Sequence, residues 1–502
     1  MTGGLLHDGL EATAAAAPGS VALHVGANDW TYAELDAASN GFARHLQQVG
    51  VGAGDRVALM ATNRAEFVVA VMAVSKVGAA TVLISPAWKA AEVGHALALT
   101  QPGHAIADES GIHLLSASVS GLTDLDDVGR RADAQDTSRL PASGASVEDE
   151  AVLVFSSGTT GLPKAVRHTH RTMGRAVLSW VDALGLTADD RFQIATPPSH
   201  ILGLLNLLTA AQAGASVRLH KRFDLTTVLD CIESEHITLE MAVAPIALAM
   251  ANDPTIGARD LSSLRYIMWG ATPVTESVAR RVTELTGVRW LCAYGASELP
   301  VLAANPVGEP ERWRLDSAGL PASGVELRVV DLDTGAVLEP GGIGEIQARG
   351  EAMMAGYLPD SANSDAFVDG WYRTGDVGWL EPEGWVHLTD RSKEMIKVNG
   401  FQVAPAEIEA VLHGHSAVLD CAVFGVPDAR SGEVPVAAVQ LDPASTVDPS
   451  ELKDLVAESL ATYKQLAHVV VVDAIPRLPS GKVLRRTLRD DWAPRLTVAG
   501  VC

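Results

Sequence analysis

The segment of this chain best suited to chemistry is a loop of serines, threonines and glycines that ends in a lysine. A run of β-forming apolar residues, Val152 to Phe155, leads into the loop, and Lys164 closes it. Such a loop can bring backbone N–H groups, hydroxyls and an ammonium onto an anion, because no bulky side chain stands in the way. The segment therefore predicts a site for the phosphates of a nucleotide.

The loop differs from the commonest phosphate loop, whose pattern is G-x-x-x-x-G-K-[ST]. Gly158 and Lys164 have the required separation, but Pro163 replaces the second glycine and Ala165 replaces the metal-binding hydroxyl. The residues from Ala165 to His170 have the pattern of a second strand rather than of a helix start. We therefore predict a phosphate loop on a hairpin, although the segment taken alone is also compatible with an ordinary turn.

Composition limits the compartment and the partners. The chain has 502 residues and a formal net charge of −23, which disfavours nucleic acid and anionic membranes as partners. No stretch approaches the ~18 apolar residues of a membrane span, and the first residues lack the basic region of a secretory signal. Four scattered cysteines without metal-binding spacing favour a reducing cytoplasm: Cys231, Cys292, Cys421 and Cys502. An anionic substrate then needs a locally basic site, for which the candidates are Lys164, Arg391, Lys393, Lys397 and Lys482.

Helical periodicity alternates with short apolar strands through residues 10–145 and again after the loop. The predicted helices include Ala33–Gln48, Glu66–Gly78, Thr172–Ala183 and Leu225–Glu235, and the predicted strands include Arg56–Met60, Ala80–Ile84, Ala215–Leu219 and Ile237–Val243. This alternation predicts an α/β fold with largely parallel sheets. Residues 325–390 combine strands with Gly, Pro and Asp turns, which predicts a β-rich subdomain. From about Asp390 onward we predict a small α+β unit, joined by a hinge of one or two residues because no flexible linker precedes it.

Five further segments follow the loop in order along the chain. They are Trp269-Gly-Ala-Thr-Pro273, Tyr294-Gly-Ala-Ser-Glu298, Tyr372-Arg-Thr-Gly-Asp376, Asp390 to Gln402, and Pro479-Ser-Gly-Lys482. Together the six motifs resemble the adenylate-forming (ANL) superfamily of acyl-CoA synthetases, peptide-synthetase adenylation domains and beetle luciferases, over nearly the whole chain. The run from Gly400 to Glu409 is most similar to the 4-coumarate and medium-chain acyl-CoA ligase branch. The resemblance implies a large N-terminal AMP-binding (adenylation) domain, residues 1–389, and a small mobile C-terminal AMP-binding domain, residues 390–502.

The resemblance also implies a reaction in two halves that uses ATP, Mg²⁺ and CoA. A small-to-medium aliphatic or aromatic carboxylic acid would attack the α-phosphorus of ATP to give an acyl-adenylate, and the thiol of CoA would then displace AMP. Two alternatives stay open at this point. The acceptor could be a carrier-protein phosphopantetheine or another nucleophile, or the chain could be a catalytically silent binding homologue. Against a silent homologue, the motif residues Lys164, Glu298, Asp376, Arg391 and Lys482 are all intact.

Candidate nucleotide-binding residues follow from the same resemblance. They are Ser156, Ser157, Gly158, Thr159, Thr160, Gly161 and Lys164 in the loop, then Gly270, Ala271, Ala293, Tyr294, Gly295 and Ser297, and finally Asp376, Arg391, Gln402 and Lys482. Glu298 with Thr159 or Thr160 resembles the family's Mg²⁺ site, a donor set that suits a hard, oxygen-preferring ion. Tyr294 offers a flat face for adenine, and Asp376 can accept both ribose hydroxyls. Outside these motifs, Tyr294 would be interpreted as a core tyrosine and Glu298 as a surface carboxylate.

The catalytic candidates are Lys482, Lys397, Glu298 and His200. In the family, the lysine at Lys482 enters the site for adenylation, whereas Lys397 and Gln402 resemble residues that face the site after the small domain rotates for the thiol step. The rotation hinge is Asp390 or Lys393, and the sequence does not choose between them.

Three further positions concern the acid. In the related branch a histidine at His200 lies near the acyl carboxylate, and an ordinary buried histidine is an equal alternative. Trp269 and the segment Leu299 to Val301 depart from the family pattern. Because we expect both to touch the acyl pocket, a substrate cannot be transferred from relatives. The alternative for Trp269 is a place in the core.

Overall fold

The computed structural model describes residues 4–128, 136–156, 163–270, 272, 274–399, 401–428, 430–478 and 481–498. The predicted loop residues Ser157, Gly158, Thr159, Thr160 and Gly161 lie outside the described residues, as does Ala271. Among the described residues, none of the helices combines the length and apolar character needed to cross a bilayer.

Thirteen helices are described, ten before residue 390 and three after it. They are α1 (Asp8–Ala16), α2 (Tyr32–Gln48), α3 (Ala65–Lys76), α4 (Ala90–Thr100), α5 (Glu109–Leu115), α6 (His170–Leu184), α7 (Ile201–Ala213), α8 (Leu225–Glu235), α9 (Ala244–Asn252), α10 (Glu276–Thr286), α11 (Pro405–His413), α12 (Pro449–Ser459) and α13 (Arg485–Val498).

The strands of the described residues form four sheets. The first thirteen are β1 (Val21–Val25), β2 (Asn28–Thr31), β3 (Arg56–Met60), β4 (Ala80–Ile84), β5 (His104–Ala107), β6 (Gly121–Asp124), β7 (Glu150–Ser156), β8 (Lys164–Thr169), β9 (Arg191–Ile194), β10 (Ser216–Leu219), β11 (Leu239–Ala242), β12 (Tyr266–Trp269) and β13 (Trp290–Tyr294). The remainder are β14 (Ala303–Ala304), β15 (Leu320–Pro321), β16 (Val325–Val330), β17 (Gly344–Gly350), β18 (Gly356–Leu358), β19 (Phe367–Val368), β20 (Trp371–Leu380), β21 (Val386–Arg391), β22 (Ile396–Val398), β23 (Phe401–Val403), β24 (Val418–Asp428), β25 (Gly432–Leu441) and β26 (His468–Val471).

Two large sheets make up most of the N-terminal domain. Their strand orders are β15-β14-β13-β12-β11-β9-β10-β1-β2 and β18-β8-β7-β4-β3-β5-β6. Pairing is parallel between β3 and β4 and throughout β1-β10-β9-β11-β12-β13, and antiparallel strands occur at the sheet ends. The prediction of an α/β fold with largely parallel sheets is therefore confirmed.

The β-rich subdomain and the small α+β unit also follow the prediction. Strands β16, β17, β19, β20 and β21 form an antiparallel five-stranded sheet, and β22 to β26 form the sheet of the C-terminal domain. One strand departs from this division. β18 leaves the β-rich subdomain and pairs with β8, which sets Tyr357 opposite Val166. This long-range pairing carries a tyrosine to the end of the predicted phosphate loop.

The two strands that flank the loop form a hairpin, as predicted. β7 and β8 pair antiparallel, and the last pair before the loop is Ser156 with Lys164. Strands β7 and β4 are neighbours in the middle of the seven-stranded sheet, so the apolar run from Ala151 to Val154 is buried on both faces. Burial of that run holds the two ends of the loop at the edge of a rigid sheet.

A buried polar chain crosses the nine-stranded sheet. Gln193 on β9 donates from Nε2 to Glu240 Oε2 on β11 at 2.6 Å, and its Oε1 lies 2.8 Å from His220 Nε2. Glu240 Oε1 is buried, and no described residue forms a hydrogen bond with it. Burial raises the pKa of Glu240 to about 8, because no positive charge compensates the carboxylate.

We expect Glu240→Gln to stabilise the protein at neutral pH. Between the unfolded pKa of 4.5 and the folded pKa of about 8, the unfolded carboxyl loses its proton while the folded one keeps it, so stability falls as pH rises. The amide has no proton to lose, and it should recover on the order of 3 kcal/mol at pH 7. Thermal midpoints at pH 4.5, 7 and 8 measure this, with the gain growing with pH.

The matched control is Glu345→Gln. Glu345 is also buried, at 5% exposed against 1% for Glu240, but its carboxylate accepts a hydrogen bond from Arg373 Nε at 2.9 Å. Neutralising it should not stabilise the protein at any of the three pH values. A Glu240→Gln gain that is the same at pH 4.5 and pH 8 would show that the carboxyl is not protonated in the folded state.

Candidate active site

A cavity of about 750 Å³ lies between the large and the small domain. Its walls include seven of the predicted site residues, namely Ser156, Lys164, His200, Ser297, Glu298, Arg391 and Lys482. Five of them come from the sheets and loops of the large domain, and Arg391 is the last residue of β21. Lys482 comes from the small domain. The structure therefore brings most of the described phosphate and catalytic candidates into one space.

The end of the cavity next to the predicted phosphate loop is built from β7, β8 and β18. Lys164 Nζ lies 5.0 Å from the centre of the Tyr357 ring, and Tyr357 donates its hydroxyl hydrogen to Glu298 Oε1 at 2.6 Å. Burial and the neighbouring Glu298 carboxylate raise the pKa of Tyr357, so the phenol stays a donor. The side chain of Tyr357 thus contacts both the ammonium of Lys164 and the carboxylate of Glu298.

Glu298 has the environment of a cation ligand. The residue is only 6% exposed, and within the described part of the chain it forms no ion pair. The Glu298 carboxylate is near enough to Lys482 and Arg391 to raise the pKa of both, but neither side chain forms an ion pair with it among the described residues. A buried carboxylate without a close cation is costly, and carboxylate oxygen is the donor that Mg²⁺ prefers. Glu298 therefore fits a divalent cation that would complete its shell with phosphate oxygens and water. The expected second ligand, Thr160, lies outside the described residues.

Asp376, the predicted ribose ligand, and Tyr294 are not in the cavity wall, whereas their neighbours Gly375 and Arg391 are. Asp376 Oδ2 accepts a hydrogen bond from Tyr294 Oη at 2.6 Å, and Asp376 Oδ1 lies 2.9 Å from Arg391 Nε. Asp376 and Arg391 are direct cross-strand partners on β20 and β21. The Asp376 carboxylate raises the pKa of Arg391, and burial together with Asp376 raises the pKa of Tyr294. The phenol of Tyr294 is thus committed to Asp376, and an adenine contact on its ring stays a prediction.

Three small residues predicted near the nucleotide do not line the cavity: Gly270, Ala293 and Gly295. A Cβ on Gly295 would lie 2.0 Å from the carbonyl oxygen of Pro300. Glycine is therefore required there by the close approach of two backbone segments within the turn. A Cβ on Gly270 would lie 3.2 Å from the terminal carbon of Met268, which a flexible side chain can accommodate.

Lys482 enters the cavity from the small domain. Burial is the main cause that lowers the pKa of Lys482, and the positive charge of Arg391 lowers it further. The carboxylates of Asp376 and Glu298 act in the opposite direction. Lys397 and Gln402 are cross-strand partners on β22 and β23, and both are exposed and outside the cavity wall. The structure thus has the small domain in the pose that presents Lys482.

His200 lies at the first turn of α7, where the chain enters the cavity wall. Its Nδ1 accepts a hydrogen bond from the backbone N–H of Leu202 at 3.4 Å, which caps the helix. Burial and the positive charge of Lys482 lower the pKa of His200 to about 4. The neutral ring therefore carries its proton on Nε2. It can donate a hydrogen bond, but it brings no positive charge to the cavity. His200 also lines the cavity, so its place near the acid stays a prediction beside the alternative of an ordinary buried histidine.

Trp269 and the segment after Glu298 lie in the core. Trp269 is 0% exposed, its ring centre lies 5.1 Å from that of Trp290, and its Nε1 donates to Thr272 Oγ1 at 3.2 Å. Leu299 and Val301 are also fully buried in the main apolar cluster. The structure therefore favours the core alternative for Trp269, and contact of these residues with an acyl pocket stays a prediction. Trp269 is the last residue of β12, and its side chain packs between the nine-stranded sheet and helices α9 and α10.

The motif analysis missed two residues that orient the site. Tyr357 holds Glu298, and His168 Nε2 lies 2.7 Å from the carbonyl oxygen of Ser297, the residue before it. Neither residue belongs to the six motifs. The contact of Tyr357 follows from the pairing of β18 with β8, which no local pattern in the sequence indicates. The contact of His168 joins β8 to the segment after β13, which is also far away in the sequence.

Comparison with known proteins agrees with this geometry. The profile of the AMP-binding enzyme family matches residues 10–358, and that of the AMP-binding enzyme C-terminal domain matches residues 407–482. The chain is 36% identical over 482 residues to 4-coumarate–CoA ligase 5 of Oryza sativa subsp. japonica, covering 91% of this chain and 89% of the relative.

Solved structures show the same fold. An anthranilate CoA ligase in complex with anthranoyl-AMP has a TM-score of 0.93 at 26% identity, covering 99% of each chain. The o-succinylbenzoate CoA synthetase of Bacillus subtilis, in complex with its acyl-adenylate intermediate, has a TM-score of 0.86 at 32% identity, covering 96% of this chain and 98% of that chain. With the six motifs in order and the profile matching most of its length, this chain belongs to the AMP-binding enzyme family of the adenylate-forming superfamily.

Proposed function

We propose that this protein is an ATP-dependent carboxylic acid:CoA ligase that works through an acyl-adenylate. The observation that carries the proposal is the convergence of Lys482 with Lys164, Glu298 and Arg391 in one cavity. A carboxylate oxygen of the acid attacks the α-phosphorus of ATP, the bond to the β-phosphate oxygen breaks, and pyrophosphate leaves. This step gathers negative charge at the α-phosphorus, where preorganised cations lower the barrier most.

Each cation has a distinct place in this step. The Lys482 ammonium binds the acid carboxylate and the α-phosphate, and the neutral His200 donates from Nε2 to the acid. Lys164, at the end of the loop hairpin, neutralises the leaving phosphates. Mg²⁺, when bound, would add further charge at the phosphate oxygens, with Glu298 as its protein ligand. Asp376, held by Tyr294 and Arg391, accepts the ribose hydroxyls.

The second half-reaction requires a different pose of the small domain. The thiol sulfur attacks the acyl carbonyl carbon, AMP leaves, and the thiol proton passes to water. Lys397 and Gln402 share one exposed face of the β22–β23 hairpin, so rotation of the small domain can bring them to the cavity that Lys482 vacates. We propose this exchange of lysines as the switch between the two halves.

The acid is proposed as small-to-medium and aliphatic or aromatic, with CoA as the acceptor. Aromatic acids are the first to try, because the names of the relatives include coumarate and anthranilate. Pyrophosphate release should be measured over a panel of aromatic and straight-chain acids, with and without CoA and with a phosphopantetheinylated carrier protein. Thioester formation with CoA supports the proposal. If the acyl group is transferred only to the carrier protein, the carrier is the acceptor instead of CoA. If pyrophosphate is not released with any acid, the chain is a catalytically silent homologue.

The two hinge candidates have different surroundings. Asp390 lies in β21, and its carboxylate accepts hydrogen bonds from the backbone N–H groups of Arg391 at 2.7 Å and Ala406 at 3.0 Å. Lys393 lies in the turn between β21 and β22, which joins the sheets of the two domains. We therefore propose Lys393 as the hinge.

We expect Lys393→Pro to leave acid-dependent pyrophosphate release near normal and to slow thioester formation by about tenfold or more, because proline locks φ and blocks the rotation. Lys393→Ala is the matched control, since it removes the same side chain and leaves the backbone free. Single-turnover assays of each half-reaction measure both variants. Equal rates for the proline and alanine variants in both assays would place the hinge elsewhere.

A further inference from the structure

The turn that carries Lys482 is contacted by Arg477, whose side chain is largely buried in the small domain. Arg477 donates from Nη1 to the carbonyl oxygen of Gly481 at 2.8 Å, which is the peptide directly before Lys482. The remaining face of the guanidinium contacts Asp420 on β24, with Nε–Oδ2 at 3.1 Å and Nη2–Oδ1 at 2.8 Å. Both side chains are 14% exposed. One arginine therefore connects the turn to the central sheet of the small domain.

Backbone contacts also join residues 477–478 to residues 481–483. Leu478 N donates to Lys482 O at 2.8 Å, Gly481 N donates to Leu478 O at 2.8 Å, and Arg477 forms an antiparallel bridge with Val483. Gly481 has a φ of +85°, and a Cβ on it would lie 3.0 Å from Pro245 of the large domain. The turn is thus confined on the large-domain side by α9 and on the small-domain side by Arg477.

Lysine has a long and flexible side chain, so the position of its ammonium depends on the backbone that carries it. The transition state of adenylation needs that ammonium within hydrogen-bond distance of reacting oxygens, and a displacement of about 1 Å can cost about 10²-fold in rate. Asp420 already neutralises Arg477, so the arginine adds little net charge to the site. Its effect on the reaction would come through the position of Lys482.

We propose that the Arg477–Asp420 pair is a positioning brace for Lys482 and sets the rate of the adenylation half-reaction. This inference rests on the function proposed above. The brace acts only while Lys482 is in the cavity, so thioester formation from a supplied acyl-adenylate does not need it. Lysine cannot replace the arginine, because a single ammonium cannot form a two-point contact with Asp420 and also hold the Gly481 carbonyl.

The test variant is Arg477→Lys, which keeps a positive charge beside Asp420. We expect kcat for acid-dependent pyrophosphate release to fall about 10- to 100-fold, with KM for ATP and acid nearly unchanged. Thioester formation from supplied acyl-adenylate should stay within about twofold of the wild-type rate. Arg477→Met, in which Asp420 keeps His413 Nε2 at 3.8 Å but loses the guanidinium, should show the same split if it folds. An equal loss in both half-reactions, or no loss in either, overturns the proposal.

The control is Arg486→Lys, since Arg486 is four residues beyond Lys482 but its side chain is 76% exposed. Both half-reactions should be unchanged in this variant. Amide hydrogen exchange gives a readout that does not depend on activity. Residues 477–484 should exchange faster in Arg477→Lys than in the wild type, while α12 is unchanged. If the wild type releases no pyrophosphate with any acid, the proposed function fails, and unchanged exchange in this segment separately overturns the brace.

Discussion

Lys482→Ala should reduce acid-dependent pyrophosphate release by about 10²-fold or more, as expected for the loss of one preorganised donor to a transition state. The structure places this ammonium inside the cavity with Arg391, Asp376 and Glu298 close enough to shift its pKa. Thioester formation from a supplied acyl-adenylate should be spared, because that half-reaction uses a pose from which Lys482 is withdrawn. Rapid-quench measurement of each half-reaction, with purified acyl-adenylate for the second, provides the comparison.

Lys397→Ala is the reciprocal variant. Lys397 is exposed on β22 and outside the cavity in the present pose, so its loss should spare adenylation and slow the thiol step. Two lysines with opposite effects on the two half-reactions would support the proposed rotation. If Lys482→Ala slows both halves equally, the assignment of Lys482 to adenylation is wrong.

Trp269→Ala should cost about 3–5 kcal/mol of unfolding free energy, the usual range for removal of a large buried aromatic side chain. Trp269 is 0% exposed and packs on Trp290 in an apolar cluster that also contains Ile246 and Val282. The relative kcat/KM values over a series of straight-chain and aromatic acids should be unchanged, since the ring does not line the cavity. Urea unfolding gives the stability, and the acid series gives the preference.

The control for Trp269 is Trp371→Ala. Trp371 is partly exposed on β20, where its ring faces the guanidinium groups of Arg328 and Arg349 at 4.4 Å and 4.5 Å. Its loss should cost less stability than the loss of Trp269. If the Trp269→Ala variant has near-normal stability and accepts bulkier acids, the core assignment is wrong and Trp269 lines the acyl pocket.

Local patterns in the sequence were sufficient to predict the hairpin of β7 and β8 and the alternation of helices and strands. Strand β3 and helix α8 coincide with their predicted bounds. These features depend on hydrophobic periodicity and turn residues, which act over a few positions and are therefore visible in the sequence. The six motifs indicated the family and six predicted site residues of the cavity wall for a related reason, since their residue types are those that bind phosphate, ribose and carboxylate.

The sequence by itself determined which groups this protein has for chemistry, including Lys164, Glu298 and Lys482. Only the tertiary structure decided that Trp269 packs in the core, that Tyr357 reaches Glu298, and that Lys482 rather than Lys397 lies in the cavity. The first depends on which layer a strand residue faces and the second on the pairing of β18 with a strand almost 200 positions earlier. The third depends on how two domains pack. Each is a contact between segments far apart in the chain, and residue types and spacing within one segment carry no information about such contacts.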